Sequence, residues 1–132
     1  MEKLISGMHH VALECENEQI YRETVRFYNE VLGLRIVRQW EDDEGTGSML
    51  SAGDALIEIF DHTDHIRGKG SVCHFALQTE NVDACVKAVK VAGYKILSIP
   101  QNEDIPSEPV YQIRYAFCQG PVGEEIEFFE ER

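Results

Sequence analysis

Two stretches of the chain repeat each other and decide the fold. The first reads His10-Val-Ala-Leu-Glu-Cys-Glu-Asn17, and the second reads His74-Phe-Ala-Leu-Gln-Thr-Glu-Asn81. Two later landmarks recur in the same order: Gly33-Leu-Arg-Ile-Val37 parallels Gly93-Tyr-Lys-Ile-Leu97, and Ile57-Glu-Ile-Phe60 parallels Ile126-Glu-Phe-Phe129. Three ordered matches at similar spacing indicate an internal duplication.

Each repeat predicts the same order of elements. An alternating apolar pattern at 8–15 and again at 72–79 predicts a strand. An asparagine suited to cap a helix follows each strand, and a glycine suited to end that helix comes later. Three more strands are expected in each repeat, near 34–40, 47–52 and 55–60, and near 94–99, 111–118 and 124–129. The sequence therefore predicts an α+β fold of two β-α-β-β-β modules.

The chain of 132 residues is expected to form one domain, residues 1–132. Its first module spans about 8–61, a polar linker 61–70, and its second module about 71–130. Placed side by side, the modules would form a curved mixed sheet with the helices on its convex side. The proline-flanked segment 101–108 predicts a long surface loop, and the acidic segment 41–45 a solvated hairpin loop.

Composition excludes several classes of partner. Asp and Glu number 24 against 12 Lys and Arg, a formal net charge of −12, so nucleic acids and anionic membranes would be repelled. No apolar run approaches the roughly 18 residues of a membrane helix, and no signal-like segment opens the chain. The scattered cysteines are expected to be reduced, mostly buried thiols. We expect a cytoplasmic protein; the cysteines are Cys15, Cys73, Cys85 and Cys118.

Strand alternation singles out four polar residues. If the apolar neighbours in each strand pack on the helices, two histidines and two glutamates share the opposite face. A single histidine or glutamate on a strand is usually a surface residue. The equivalent positions of these four residues in the two repeats instead indicate a shared role. Imidazole and carboxylate together suit zinc, nickel, cobalt, manganese or iron. The predicted ligands are His10, Glu58, His74 and Glu127. His9 has the opposite parity and is expected to point toward the helices or the sheet edge.

Two motifs resemble a known superfamily. His10-Val-Ala-Leu13 with Phe27-Tyr-Asn-Glu-Val-Leu-Gly-Leu34 is similar to the opening of vicinal oxygen chelate proteins, "H-x-A … F-Y-x-x-V-L-G". The segment Gly120-Pro-Val-Gly-Glu-Glu-Ile-Glu-Phe128 resembles their "D-P-x-G-x-x-I-E" ending, with Gly120 in the usual Asp place. The superfamily includes glyoxalase I, methylmalonyl-CoA epimerase, extradiol dioxygenases, fosfomycin-resistance enzymes and bleomycin-binding proteins. The resemblance implies a fold and a metal position rather than a substrate.

The four candidate ligands resemble the His/Glu/His/Glu set of bacterial glyoxalase I, whereas the epimerases usually carry Gln where this chain has Glu58. The resemblance implies a metal-dependent lyase or isomerase that acts on a hemithioacetal-type hydroxy-carbonyl compound through an enediolate. Glu127 would be the base and Glu58 its counterpart. Arg114, Gln112 and Trp40 are weaker candidates for binding the small-molecule substrate.

The resemblance also implies a homodimer, in which His10 and Glu58 of one chain meet His74 and Glu127 of the other. The cofactor would be one divalent ion per site: zinc, nickel, cobalt, manganese or iron. Two alternatives stay open. One is a small-molecule-binding or resistance protein of the same fold, although binding-only members generally lack the ligands. The other is an epimerase or thiol transferase of the superfamily.

Overall fold

The computed structural model describes residues 8–43, 45–61, 74–106 and 109–132. The chain divides into two compact units, Met1–Ile66 and Arg67–Arg132, and each is described by itself below. Apart from its first residue, the predicted linker 61–70 lies outside the described residues, as does Cys73.

The first unit contains one helix and a four-stranded sheet. Its elements, in chain order, are β1 (His10–Glu14), α1 (Glu18–Arg26), β2 (Ile36–Asp42), β3 (Gly45–Ala52) and β4 (Ala55–Phe60). The strands lie in the order β1-β4-β3-β2. Strands β1 and β4 are parallel, and the other two pairs are antiparallel. The first strand of the unit therefore lies beside the last.

The second unit repeats this topology. Its elements are β5 (Phe75–Gln78), α2 (Val82–Val91), β6 (Ile96–Ile105), β7 (Tyr111–Gln119) and β8 (Glu125–Glu131). The strand order is β5-β8-β7-β6, with β5 and β8 parallel. The predicted α+β fold of two β-α-β-β-β modules is confirmed.

Asparagine caps begin both helices, as predicted. The Asn17 side-chain oxygen accepts the N–H of Ile20 at 2.9 Å, and that of Asn81 accepts the N–H of Ala84 at 3.0 Å. Each cap satisfies a backbone donor that the helix itself leaves unpaired.

The end of the first helix differs from the prediction of a regular helix up to Gly33. After α1 the chain continues as a π-helical turn, Phe27–Val31, in which the Leu32 N–H bonds to the Phe27 carbonyl at 3.1 Å. The neighbouring rings of Phe27 and Tyr28 are both buried and stand nearly perpendicular. Periodicity of 3.6 residues does not reveal this wider turn.

The cores lie between each helix and its own sheet, and they confirm the predicted strand alternation. In the first unit Leu13, Leu50, Ile57 and Ile59 are buried. In the second unit Val82 and Val89 of α2 are buried, as are Ile126 and Phe128 of β8. The residues between them in β1, β4 and β8 are half-buried or exposed. Burial of one strand face thus directs the alternate side chains to the other face.

The thiol prediction is confirmed where it can be followed. Among the described residues, Cys15, Cys85 and Cys118 form no disulfide, and Cys15 and Cys118 are buried. Burial raises the pKa of Cys118 to about 12, so this thiol stays protonated at neutral pH.

One predicted loop is largely a strand. Strand β6 continues to Ile105, so the prediction of a loop over 101–108 is wrong for its first five residues. Strand β6 lies at the edge of its sheet, and its register shifts between Ser98 and Gln101, around Pro100. An edge strand accommodates proline at such an irregularity because the missing N–H need not pair. Asp42 of β2 pairs with Gly45 of β3, so these antiparallel strands meet at the acidic segment, where a hairpin is predicted.

Among the described residues, no helix has both the length and the apolar character needed to cross a membrane.

Candidate functional site

The first His–Glu pair lies on parallel strands of the first unit. His10 begins β1, and Glu58 lies in β4 opposite Ala12. The His10 Nε2 atom is 3.5 Å from the Glu58 Oε1 atom, with the two side chains 38% and 20% exposed. Leu13 and Ile59, which point to the other face of these strands, are buried. The pair therefore lies on the sheet face away from α1.

The second pair repeats the first. His74 directly precedes β5, and Glu127 lies in β8 opposite Ala76. The His74 Nε2 atom is 3.3 Å from the Glu127 Oε1 atom, with exposed fractions of 40% and 14%. In both units the histidine comes two residues before the residue that faces the glutamate. The duplication has preserved the register of the pair.

The environment of Glu127 makes its carboxyl group a weaker acid than usual. Burial raises the pKa of Glu127, while the charge of His74 and its hydrogen bond lower the pKa, and the negative charge of Glu103 raises it. The net direction is upward.

The donor atoms of each pair suit a divalent transition metal. Nitrogen and oxygen ligands about 2.1 Å from one ion lie about 3.0 to 3.4 Å apart when they take neighbouring positions around it. The observed separations of 3.5 and 3.3 Å are close to this spacing. Within the described parts of the chain, no cluster of three or more His, Cys, Asp or Glu side chains is arranged to hold a metal. Each pair by itself offers one nitrogen and one oxygen donor.

Trp40 lies on the same face as the first pair. It is opposite Gly47 in the β2–β3 ladder, and Met49, two residues further along β3, is opposite Glu58. A Cβ atom on Gly47 would overlap the Trp40 indole, so the ring covers this glycine.

Arg114 and Gln112 lie on the other face of the second sheet. The Arg114 guanidinium donates two hydrogen bonds to the Asp83 carboxylate of α2, each 2.8 Å long, and a third to Asn102. This pairing holds the pKa of Asp83 below its usual range. Strand alternation sets Gln112 on the same side as Arg114 and Phe117 on the opposite side. We therefore leave Arg114 and Gln112 out of the proposed site.

Two residues that contact the candidate ligands were not predicted to do so. The His9 Nδ1 atom is 2.9 Å from the His10 Nδ1 atom, although His9 was expected to point toward the helices or the sheet edge. Phe117 of β7 lies opposite Glu127, and its ring meets the His74 ring edge to face at 5.1 Å. The pairing of β7 with β8 across the turn at Gly120 could have shown that Phe117 lies opposite Glu127. The His9 contact could not be found in this way, because it depends on two side-chain rotamers.

A duplicated β-α-β-β-β unit with a His–Glu pair at the same place in each copy is typical of the vicinal oxygen chelate fold. Residues 7–128 match the sequence model of the Glyoxalase/Bleomycin resistance protein/Dioxygenase superfamily. The chain belongs to this superfamily.

Individual relatives share the fold at low identity. The uncharacterized protein YwbC of Bacillus subtilis (strain 168) is 27% identical over 113 residues, which cover 81% of this chain and 86% of YwbC. TnmS3, an antibiotic binding protein from Streptomyces sp. CB03234, is 19% identical with a TM-score of 0.73, over 99% of this chain and 100% of its own. The trypanothione-dependent glyoxalase I of Leishmania major is 21% identical with a TM-score of 0.69, over 96% and 87%. A binding protein and an enzyme thus have the same fold.

Proposed function

We propose that the protein is a metal-dependent lyase or isomerase of the glyoxalase I kind, acting on a hemithioacetal-type hydroxy-carbonyl compound. One observation carries this proposal: each unit sets a histidine Nε2 atom 3.5 Å or less from a glutamate Oε1 atom, at the same register position. The two repeats differ at many positions but keep this pair. This favours a common chemical role for the two pairs over the alternative that they are ordinary surface residues.

His10, Glu58, His74 and Glu127 would together hold one divalent ion: zinc, nickel, cobalt, manganese or iron. When bound, such an ion would act as a Lewis acid on the hydroxyl and carbonyl oxygens of the substrate. This eases loss of a proton from the carbon that carries the hydroxyl and the sulfur. Trp40 would line the space beside the first pair.

Glu127 would move the proton. Its carboxylate takes the proton from the carbon that carries the hydroxyl and the sulfur and returns it to the adjacent carbon, while the hydroxyl proton passes to the former carbonyl oxygen. Substrate and product are isomers, so the carboxylate ends the cycle as it began. The geometry supports Glu127 over Glu58 for this role, because its side chain is less exposed, 14% against 20%. Glu58 would be the near-symmetric counterpart that stays a ligand.

The proposed assembly is a homodimer that takes His10 and Glu58 from one chain and His74 and Glu127 from its partner. Strands β2 and β6 lie at sheet edges, and an edge strand needs pairing or cover to avoid uncontrolled association. A cytoplasmic location, expected from the sequence, stays a prediction.

A direct assay tests the proposed reaction. Metal-free protein is supplied with each candidate ion in turn and mixed with the hemithioacetals that methylglyoxal forms with several thiols, while thioester formation is followed by ultraviolet absorbance. We expect turnover that requires the ion and disappears with a chelator. Protein that holds the ion yet converts none of these adducts would contradict the lyase proposal and favour the epimerase or thiol-transferase alternatives.

A second candidate function is small-molecule binding or drug resistance without catalysis. It is favoured by the fold shared with TnmS3 over nearly the whole of both chains. A binding protein would retain a small molecule equally well with and without metal. Calorimetric binding in the presence of chelator, with no ion retained at any stage, would support this candidate against the lyase.

A further inference from the structure

His10 has a separate partner for each of its two ring nitrogens. Its Nε2 atom is 3.5 Å from Glu58, and its Nδ1 atom is 2.9 Å from the Nδ1 atom of His9. The two imidazole rings stand at 85°, with centroids 5.1 Å apart. The His9 backbone is also held in place, because its carbonyl accepts the N–H of Leu56 at 2.9 Å. The His9 ring therefore contacts His10 at its Nδ1 side, in a position exposed to solvent.

The contact between the two Nδ1 atoms restricts where the protons lie. A neutral imidazole carries one N–H and one lone pair, so a nitrogen–nitrogen hydrogen bond needs the N–H on one ring and the lone pair on the other. If His10 donates, its proton is on Nδ1 and the lone pair on Nε2 is free. A metal ligand needs that free lone pair.

Glu58 acts on His10 in the opposite direction. A carboxylate near Nε2 stabilises the tautomer with the proton on Nε2, because the N–H can then donate to the carboxylate oxygen. In that tautomer His10 cannot bind an ion through Nε2 until the proton moves. A hydrogen-bond acceptor at Nδ1 offsets this effect of Glu58, because it stabilises the tautomer with the proton on Nδ1.

We infer that His9 is a positioning residue, which accepts the Nδ1 proton of His10 and so keeps the Nε2 lone pair available for an ion. The inference rests on the proposed metal site. A ligand histidine commonly donates its second N–H to a carboxylate, a carbonyl or water, and loss of that partner typically weakens metal binding 10- to 100-fold. Here a second imidazole is the acceptor.

The second module offers a matched comparison within the chain. The His74 ring packs edge to face on Phe117, which supports the ring without accepting a proton. Replacing Phe117 would therefore disturb the packing of a ligand histidine in the second module while leaving the His10 tautomer unchanged.

The test compares His9→Ala, His9→Phe, His9→Asn and the control Phe117→Leu. Long-range proton–nitrogen NMR of the metal-free proteins, at about pH 8 and above the range in which free imidazole titrates, reports the His10 tautomer. We expect the Nδ1–H form in the wild type, and a shift toward the Nε2–H form in His9→Ala and His9→Phe. His9→Asn keeps an acceptor oxygen and should restore the Nδ1–H form.

Zinc titrations of the same proteins give the second readout. We expect His9→Ala and His9→Phe to bind zinc about 10- to 100-fold more weakly than the wild type, and His9→Asn to recover most of the affinity. An unchanged His10 tautomer in His9→Ala overturns the inference, even if affinity falls. A wild type that binds no zinc contradicts the proposed function instead, and the tautomer comparison still decides the role of His9.

Discussion

Each module places a His–Glu pair at the equivalent register of its own sheet, yet the two pairs have different neighbours. His10 meets a second imidazole, whereas His74 packs on a phenyl ring. Glu58 keeps 20% of its side chain exposed, and Glu127 only 14%. Sheet register therefore keeps the two candidate pairs in equivalent positions, while the side chains around them differ.

The modules also attach their helices to their sheets differently. In the first module the hydroxyl of Tyr21 on α1 is hydrogen-bonded to the buried Ser48 hydroxyl of β3. In the second, Asp83 on α2 forms an ion pair with Arg114 of β7 at the surface. Since a buried hydrogen bond is costly to break and an exposed ion pair is not, the first attachment should contribute more stability.

The largest expected difference separates the two glutamates. Glu127→Gln should lower turnover at least about a hundredfold, the usual contribution of a general base. Glu58→Gln should lower turnover less when both variants are measured at saturating metal, because Glu58 is proposed only as a ligand. Steady-state kinetics on metal-loaded proteins provides the comparison. Equal losses in the two variants would contradict the assignment of Glu127 as the base.

The next effect concerns the buried attachment of α1. Tyr21→Phe should destabilise the protein by about 1 kcal/mol, the usual net value of a buried hydrogen bond. Denaturant unfolding of the wild type and the variant measures this difference in the free energy of unfolding. The two proteins should show the same dependence of that free energy on denaturant concentration. Ser48→Ala is the matched control, since the loss for the double variant should be smaller than the sum of the two single losses. Additive losses would show that the two hydroxyl groups act independently.

The metal content of a heterodimer tests the proposed assembly. Homodimers of His10→Ala or of His74→Ala would lack a ligand in every site. A heterodimer of the two variants would combine the intact His10 of one chain with the intact His74 of the other, which restores one of its two sites. Metal analysis should give half the wild-type capacity for the purified heterodimer, and about a quarter for an equal mixture after random exchange of subunits. No recovery, once subunit exchange has been demonstrated, would mean that each chain completes its own site.

The smallest effect concerns the exposed ion pair of the second module. The pKa of Asp83 is lowered by its hydrogen bond to Arg114, so the pair stabilises the fold at and above the pH at which the unfolded carboxyl group ionises. This contribution is lost as the pH falls through the lowered pKa. Asp83→Asn should therefore be less stable than the wild type at pH 7, and the difference should vanish by about pH 2.

Thermal unfolding across this pH range measures the effect of Asp83→Asn. Glu18→Gln in α1 is the matched control, because Glu18 pairs with Arg22 within the helix and both are exposed. Its effect should be smaller, since that pair links no helix to a sheet. A destabilisation by Asp83→Asn that stays the same at pH 2 would contradict the ion-pair explanation.

Much of the fold and the membership of each pair could be predicted from the sequence. Alternation in β1 and β4 gives the faces of His10 and Glu58, since one buried strand face determines the other. The caps at Asn17 and Asn81 follow from side-chain chemistry. The extension of β6 past Pro100 could not be predicted in the same way, because the tolerance of a sheet edge for proline depends on strand order.

The contacts around the ligands were harder to predict. The approach of His9 to His10 requires two particular rotamers, and the pairing of Arg114 with Asp83 requires the distance between α2 and β7. Neither is encoded in local periodicity. Composition and strand alternation thus predict which residues share a face, whereas packing decides which of them touch.

Both pairs are proposed to hold a single ion together. Titration of metal-free protein with zinc, followed by desalting and elemental analysis, tests it directly. We predict one ion per chain for the wild type and almost none for either His10→Ala or His74→Ala, with circular dichroism unchanged in both. Two ions per chain in the wild type, or full retention of an ion by either single variant, would show that the pairs do not form one site.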